Sequence, residues 1–151
     1  MPVAEGAIVR PVTLADEAAW RHHWAGYLKF YEVDLAPDVT DGLWARLHDP
    51  AMPMFALVAE FEGKVVGFVH GVVHYNTWGL RPICYLEDLY VDADVRGQRL
   101  GQKLIDAMIE KVKAEDWGRL YWHTSAINRS ARILYDRYTP ADMMVRYTLR
   151  Y

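Results

Sequence analysis

The chain has 151 residues, of which 52% are apolar and 25% charged, a composition that suits one globular domain over residues 1–151 and excludes a disordered polypeptide. Its formal net charge of −3 and its dispersed basic residues disfavour a nucleic-acid binder, and no apolar run approaches the roughly 18 residues of a membrane span. Because the N-terminus has neither the basic start nor the apolar core of a secretory signal, and Cys84 has no second cysteine to pair with, we expect a cytoplasmic protein.

The first third of the chain predicts one strand and two helices. Ile8 to Pro11 is a short strand candidate, and Thr13 is a suitable N-cap for a helix from about Leu14 to Phe30. That helix carries an apolar stripe at three- and four-residue spacings, formed by Trp20, Trp24, Tyr27, Leu28 and Tyr31. The stretch "DLAPDVTDG" then breaks the helical pattern, and a second short helix is predicted around Asp41 to Leu47.

The middle of the chain predicts strands. Met54 to Phe61 and Lys64 to Tyr75 are rich in Val, Phe and Ala and are separated by a short glycine-containing turn, which is typical of a β-hairpin. A third strand is predicted from Tyr85 to Val91, after the loop "NTWGLRP".

The last third of the chain predicts two helices, each followed by a strand. An apolar stripe from Leu100 to Val112 predicts a helix that ends near "EDWG", and Leu120 to Thr124 follows as a strand. Asn128 to Tyr138 is predicted as a helix, and the closing "MMVRYTLRY" as a final strand. Because hairpins and crossover helices are mixed, the order predicts an α/β (mixed α+β) fold in which helices cover both faces of a mixed sheet.

The turn before the Leu100 helix has the features of an anion-binding site. Gly97 and Gly101 let the backbone approach a ligand, and the first N–H groups of a helix have no internal partner. Arg96, Arg99 and Lys103 add positive charge. The alternative is a plain strand-to-helix turn with a solvated basic rim. The spacing fits neither the GxGxxG of a dinucleotide fold nor a P-loop.

Two adjacent carboxylates lie in the strand before this turn. Alternation along the strand predicts opposite faces for them, with Glu87 on the side of Leu89 and Asp88 on the side of Leu86. Burial raises the pKa of a carboxyl group toward the range useful for a general base, although a hydrogen-bonded structural carboxylate is the alternative.

The loop and its neighbours resemble one known family. The sequence "VRGQRLGQKL" is similar to the acyl-CoA pyrophosphate loop of the GNAT N-acetyltransferase superfamily, whose pattern is Gln/Arg-x-x-Gly-x-Gly/Ala. Arg96 and Gly101 match its ends, and Arg99 stands where the middle glycine is usual. With "YLEDLYV" upstream and "RLYWHTSAINRSARILYDRY" downstream, the resemblance covers roughly Glu60 to Tyr138 and is best for the histone and polyamine (amine) acetyltransferase branch.

This resemblance implies a mixed, mostly antiparallel sheet of about six to seven strands and acetyl-CoA as the cofactor. The implied reaction is acetyl transfer to a primary amine by direct attack in a ternary complex; the acceptor is a small amine, such as a polyamine or an amino acid, or a protein lysine in a basic peptide. The alternative is a non-catalytic acyl-CoA sensor or interaction module on the same fold. The cofactor contacts implied by the resemblance are Leu89, Tyr90, Val91, Arg96, Gly97, Gln98, Arg99, Leu100, Gly101, Asn128 and Ala131.

The resemblance also assigns roles in the reaction. Glu87 would accept a proton from the amine, directly or through water, with Asp88 as the second choice, and Tyr135 would protonate the departing CoA thiolate. Core packing is the alternative role for Tyr135. The acceptor site is expected at the end of the first helix and near the cleft, lined by Tyr27, Tyr31, Glu32, Asp88 and His123.

Two further features complete the expectation. No metal site is expected, because His70 and His74 lack a third ligand at a suitable spacing and the adjacent His22 and His23 should diverge on their helix. Met143 and Met144 lie where the family usually has a Gly-Phe pair, and with the apolar final strand they suggest a homodimer contact.

Overall fold

The computed structural model of the protein describes residues 5–151. Over this range, five strands form one sheet in the order β1-β2-β3-β4-β5, antiparallel throughout except that β5 runs parallel to β4. The strands are β1 Ile8–Pro11, β2 Met54–Phe61, β3 Lys64–His74, β4 Ile83–Val91 and β5 Leu120–Tyr121. The α-helices are α1 Glu17–Phe30, α2 Pro37–Leu47, α3 Leu100–Ala114 and α4 Arg129–Tyr135.

Most predicted elements are confirmed. Their boundaries differ from the prediction where the residues of a turn or a helix start determine the end of an element. The β2–β3 connection is a tight turn because Glu62 and Gly63 both take positive φ, 53° and 75°. Helix α2 begins four residues earlier than predicted, since Pro37 occupies the first helical turn, where its missing N–H costs no hydrogen bond. The stretch "DLAPDVTDG", expected to break the helical pattern, therefore contains the start of α2.

The predicted count of six to seven strands is too high for the described residues, because the predicted final strand does not form. Residues 143–151 take no regular structure, although from Val145 onward their sequence alternates as a strand should. A strand needs a neighbour for its backbone N–H and C=O groups, and no other strand of the described chain pairs with this segment. The strand Leu120–Tyr121 is also shorter than the predicted Leu120 to Thr124.

Helices cover both faces of the sheet, as predicted. On one face α3 buries an apolar stripe, which includes Ile105 and Met108, against Leu57 and Ala59 of β2. On the other face Trp20 of α1 packs with Ala56 and Val58, which alternate with the first pair along the same strand. Burying a tryptophan or leucine fully contributes roughly 1.5–3 kcal/mol, so these two layers supply much of the stability. Cys84 is also fully buried, on the α3 face.

A β-bulge in β4 corrects the predicted placement of the two carboxylates. His70 pairs with Asp88 and Gly71 pairs with Leu86, so Glu87 is an extra residue without a partner on β3. The extra residue reverses the alternation: Leu86 and Leu89 both pack on the α3 face. The prediction that Glu87 shares a face with Leu89 is therefore wrong, and both carboxylates lie on the α1 side.

No helix within residues 5–151 combines the length and the apolar character that crossing a bilayer would require.

Candidate active site

The loop between β4 and α3 presents unpaired backbone amides. Gly97 has φ 85°, and Arg99 caps α3 in the left-handed region at φ 59°. Within the described chain no side chain caps this helix, so its first N–H groups keep their hydrogen-bonding capacity for a ligand. The helix dipole makes the same point favourable for negative charge. Arg99, where the family usually has glycine, adopts a backbone conformation that glycine favours.

A cavity of about 750 Å³ opens over these amides. The end of β4, the start of α3, one face of α4 and the end of α1 surround it. Most residues predicted to contact a cofactor line it, namely Leu89, Tyr90, Val91, Arg96, Gly97, Arg99, Leu100, Gly101, Asn128 and Ala131. Gln98 is not among its lining residues in the described chain.

The basic side chains at and after the loop make different contacts. Nε of Arg96 donates to the carbonyl of Val91 at 3.0 Å, and its guanidinium lies over the rings of Tyr90 and Phe30. Lys103, expected to add charge to the loop, instead donates from Nζ to the carbonyl of Ala7 at 3.0 Å. The sequence argument missed Phe30, which lines the cavity at the end of the α1 stripe.

A second cavity of about 650 Å³ adjoins the first. The two share four lining residues, which are Tyr27, Tyr31, Leu89 and Tyr135. Glu87, Tyr85 and His123 line the second cavity, and the Tyr85 hydroxyl is 3.1 Å from Nδ1 of His123. Glu87 and Tyr135, the two residues predicted to move protons, therefore border the same space.

Glu87 is partly desolvated where it lines this aromatic cavity. Partial desolvation raises its pKa above the ordinary value, and the adjacent charge of Asp88 raises it further, while His70 and Arg46 act in the opposite direction. The shift is in the direction that a carboxylate needs to act as a base near neutral pH.

Asp88 is held behind the cavity by a chain of hydrogen bonds that the sequence did not reveal. Nε1 of Trp20 donates to Nε2 of His70 at 3.0 Å, so the proton of the neutral imidazole is on Nδ1, which donates to Asp88 Oδ2 at 2.9 Å. The Tyr27 hydroxyl also lies near Asp88, and burial together with this carboxylate raises the pKa of Tyr27. Trp20 and His70 are 50 residues apart in the sequence, so the sequence pattern did not predict this hydrogen bond.

Tyr135 is positioned by α4. The side-chain oxygen of Asn128 caps this helix by accepting from the Ala131 N–H at 3.3 Å, which leaves its amide NH₂ for other partners. Tyr135 packs edge-on against Trp122, with ring centroids 5.6 Å apart. Burial raises the pKa of Tyr135 to about 12, so the phenol is protonated across the physiological range.

The remaining predicted residues fall outside the cavities or have other partners. In the described structure Glu32 and Asp88 line neither cavity, whereas Tyr27, Tyr31 and His123 do. His22 and His23, expected to diverge, have ring centroids 5.2 Å apart, and their ligand atoms approach those of Asp92.

Comparison with known proteins agrees with this geometry. Residues 17–139 match the model of the Acetyltransferase (GNAT) family. The chain is 30% identical over 137 residues to D-amino-acid N-acetyltransferase HPA3 of Saccharomyces cerevisiae, a match that covers 89% of this chain and 85% of that protein.

Solved structures share the fold. A ribosomal-protein-alanine N-acetyltransferase from Brucella melitensis biovar Abortus 2308 superposes with a TM-score of 0.82 at 23% identity, covering 97% of this chain and 100% of that one. The enzyme AAC(6')-Iy, in complex with the bisubstrate analogue CoA-S-monomethyl-acetylneamine, gives a TM-score of 0.82 at 14% identity over 97% of this chain and 99% of the other. The chain therefore belongs to the Acetyltransferase (GNAT) family and is an N-acetyltransferase.

Proposed function

We propose that residues 1–151 act as one domain that transfers the acetyl group of acetyl-CoA to a primary amine by direct attack in a ternary complex. One observation carries this proposal: the cavity over the free α3 amides meets the cavity that contains Glu87, and Leu89 and Tyr135 lie at their junction. A thioester entering from one side and an amine from the other would meet between the two proton-transfer groups.

The first cavity suits the donor. Pyrophosphate oxygens would accept hydrogen bonds from the amides of residues 98–101, where the helix dipole and Arg96 favour negative charge. The narrow arm of the cofactor would extend β4 like an added strand, bonding to the backbone of Leu89 and Val91. The amide NH₂ of Asn128 remains available to it, and the small Ala131 leaves room beside α4.

The second cavity supports the chemistry. The ammonium group of the acceptor loses a proton to Glu87, directly or through water, and the resulting amine attacks the thioester carbon. The C–N bond forms, the C–S bond breaks, and the phenol of Tyr135 supplies a proton to the leaving thiolate. The ordinary pKa of a thiol is near 8.5, well below that of Tyr135, so the transfer requires that burial in the cavity also raise the pKa of the departing thiol.

The charges around the second cavity favour an amino acid over a polyamine as the acceptor. Arg146 lines this cavity, and a cation there would repel a second ammonium group but attract a carboxylate. The relative from Saccharomyces cerevisiae is named for D-amino acids, which agrees with this preference. Tyr27 and Tyr31 would form the wall against which the ammonium packs. We place the reaction in the cytoplasm, which the lone, unpaired Cys84 favours.

Two measurements test the proposal in order. Isothermal titration with acetyl-CoA should give saturable binding, and its absence at millimolar ligand would refute the donor assignment. Release of free CoA thiol is then followed with a panel of D- and L-amino acids, polyamines, aminoglycosides and a lysine peptide. Binding without thiol release from any amine would favour the non-catalytic sensor, whereas turnover with polyamines alone would overturn the role given to Arg146.

A further inference from the structure

A third cavity, of about 450 Å³, lies beside α1 and apart from the active site. Within the described chain it shares no lining residue with the first and second cavities. Its lining brings His22 and His23 of α1 together with Asp92, the first residue after β4. Each of these side chains has one ligand atom within 4.8 Å of the other two. Two imidazoles and one carboxylate form a donor set that binds Zn²⁺.

His23 is prepared for a metal by its hydrogen bond. The side chain is 4% exposed, and its Nε2 lies 2.7 Å from the carbonyl oxygen of Val65. A carbonyl only accepts, so the proton of the neutral ring is on Nε2 and the lone pair is on Nδ1. Among the described side chains, Nε2 of His48 is the one buried nitrogen or oxygen that lacks a partner, so Nδ1 of His23, which also lacks one, reaches solvent in the cavity. A metal-bound histidine characteristically donates its other ring N–H in this way.

Asp92 and His22 supply the other two ligands. Oδ1 of Asp92 accepts from the Asp94 N–H at 2.9 Å, and Oδ2 has no partner within residues 5–151. The Asp92 N–H donates to the carbonyl of Val66 at 2.8 Å, so the backbone is held as well. A tetrahedral Zn²⁺ with bonds of about 2.0–2.1 Å needs donor atoms roughly 3.4 Å apart. The three donors are close to that spacing, and the exposed ring of His22, which makes no hydrogen bond in the described chain, can turn to reach it.

The charges around the cavity favour a cation. Three carboxylates of the described chain line it, those of Asp16, Glu60 and Asp92, against two basic side chains, those of Arg10 and Lys64. Arg10 forms ion pairs with Asp16 at 2.8 Å and Glu60 at 2.9 Å, so its charge is compensated. Lys64 is exposed, where solvent screens its charge. The lining therefore carries one net negative charge to meet a divalent ion.

We propose that His22, His23 and Asp92 bind one Zn²⁺ ion, with solvent in the remaining coordination position. The ion joins α1 to the start of the β4–α3 loop, because two ligands come from the helix and the third opens the loop. The same helix ends at Phe30, which lines the first cavity, so the ion fixes two walls of that cavity against each other. Binding there requires neither acetyl-CoA nor an acceptor amine. Mg²⁺ should not compete, since it prefers oxygen ligands in octahedral geometry.

Matched substitutions test the site in the untagged 151-residue chain. After removal of metal with EDTA and dialysis into EDTA-free buffer, ZnCl₂ and MgCl₂ are titrated separately by calorimetry. His22→Ala removes an exposed ring, and Asp92→Asn removes the charge but keeps an oxygen for the Asp94 N–H, so both variants should fold. Asp94→Asn makes the same chemical change two residues later, at an exposed carboxylate outside the cavity lining, and serves as the control.

The expected result is one Zn²⁺ per chain at micromolar concentration for the wild type and for Asp94→Asn. In His22→Ala and in Asp92→Asn the affinity should fall by about tenfold or more. Bound Zn²⁺ should also slow amide exchange of residues 92–96 in the wild type but not in Asp92→Asn.

Three outcomes would overturn the proposal. The wild type could bind no Zn²⁺ saturably, or either ligand variant could keep the wild-type affinity, which would place the ion elsewhere. An equal loss of affinity in Asp94→Asn would indicate a general effect of charge and would refute the three-ligand site. Binding of Mg²⁺ as tight as that of Zn²⁺ would refute the choice of ion.

Discussion

Replacing Glu87 with glutamine should convert the enzyme into one that acts only on the free amine. Glutamine keeps the size of the side chain but cannot accept the ammonium proton. For the lysine peptide of the panel, whose side-chain ammonium has an ordinary pKa of about 10.4, about one molecule in 10³ is unprotonated at pH 7.4. Glu87→Gln should therefore lower kcat/KM by about 10³-fold at pH 7.4, within the range known for general base catalysis.

The pH profile separates this explanation from a structural defect. The wild-type kcat/KM should be level between the pKa of Glu87, which lies above the ordinary value, and that of the amine. The variant should gain about tenfold per pH unit as the free amine appears, so that its deficit shrinks to about tenfold at pH 9.4. Activity is followed by thiol release, and Glu110→Gln on the exposed face of α3 makes the same chemical change as a control.

Stability should move in the opposite direction from activity. The pKa of Glu87 is raised in the folded state, so the protonated form is favoured there and the ionised form costs stability once the pH passes the folded pKa. Near neutral pH the glutamine variant should melt at the same or a higher temperature than the wild type, and the difference should vanish in acid. A variant whose profile stays parallel to that of the wild type, or which melts markedly lower, would refute the assignment of Glu87 as the base.

Three other substitutions probe the rest of the site. Tyr135→Phe should lower kcat by about 10²-fold or more while the Kd for acetyl-CoA, measured by calorimetry, changes by less than about threefold; an equal loss of binding would indicate a packing role instead. Gly97→Ala should cost about 1–2 kcal/mol of unfolding free energy, because an alanine at φ 85° is strained, and should weaken acetyl-CoA binding; unchanged denaturant midpoint and Kd would contradict this. Trp20→Phe leaves Nε2 of His70 without its donor and should destabilise the fold by roughly 1–3 kcal/mol in urea unfolding. It should also lower kcat with the acetyl-CoA Kd unchanged. Unchanged stability and kcat would show that the Trp20–His70 hydrogen bond is not needed.

The sequence predicted the fold well where the signals are local. The apolar stripe of α3 and the hairpin between β2 and β3 depend on spacing and turn residues within a few positions, and both are present as predicted. The free amides of the loop before α3 were also predicted from local features, since glycines and a helix start suffice to predict them.

Features that depend on distant partners were missed. The bulge at Glu87 arises from the register between β3 and β4, which no pattern within β4 alone reveals. The hydrogen bonds from Trp20 through His70 to Asp88 link three elements that are far apart in sequence. Lys103 was assigned to the loop by its proximity in sequence, but on a helix its long side chain reaches Ala7 near β1.

The predicted final strand shows that an alternating pattern alone does not make a strand. Alternation at residues 143–151 describes what the segment can do, whereas a strand forms only where a neighbour offers its backbone. The sequence therefore predicted a strand that the described chain does not form.

The extra residue in β4 also places Glu87 at a position that the pairing of the sheet does not require. Ladder pairs hold the strand on both sides of it, from Gly67 to His70 and from Gly71 to His74 of β3. Deleting Glu87 would make the pairs of Leu86 with Gly71 and of Asp88 with His70 consecutive, and Leu89 and Val91 would keep the face that they have now. Changes at position 87 should therefore affect the chemistry of the cavity more than the pairing of the strand.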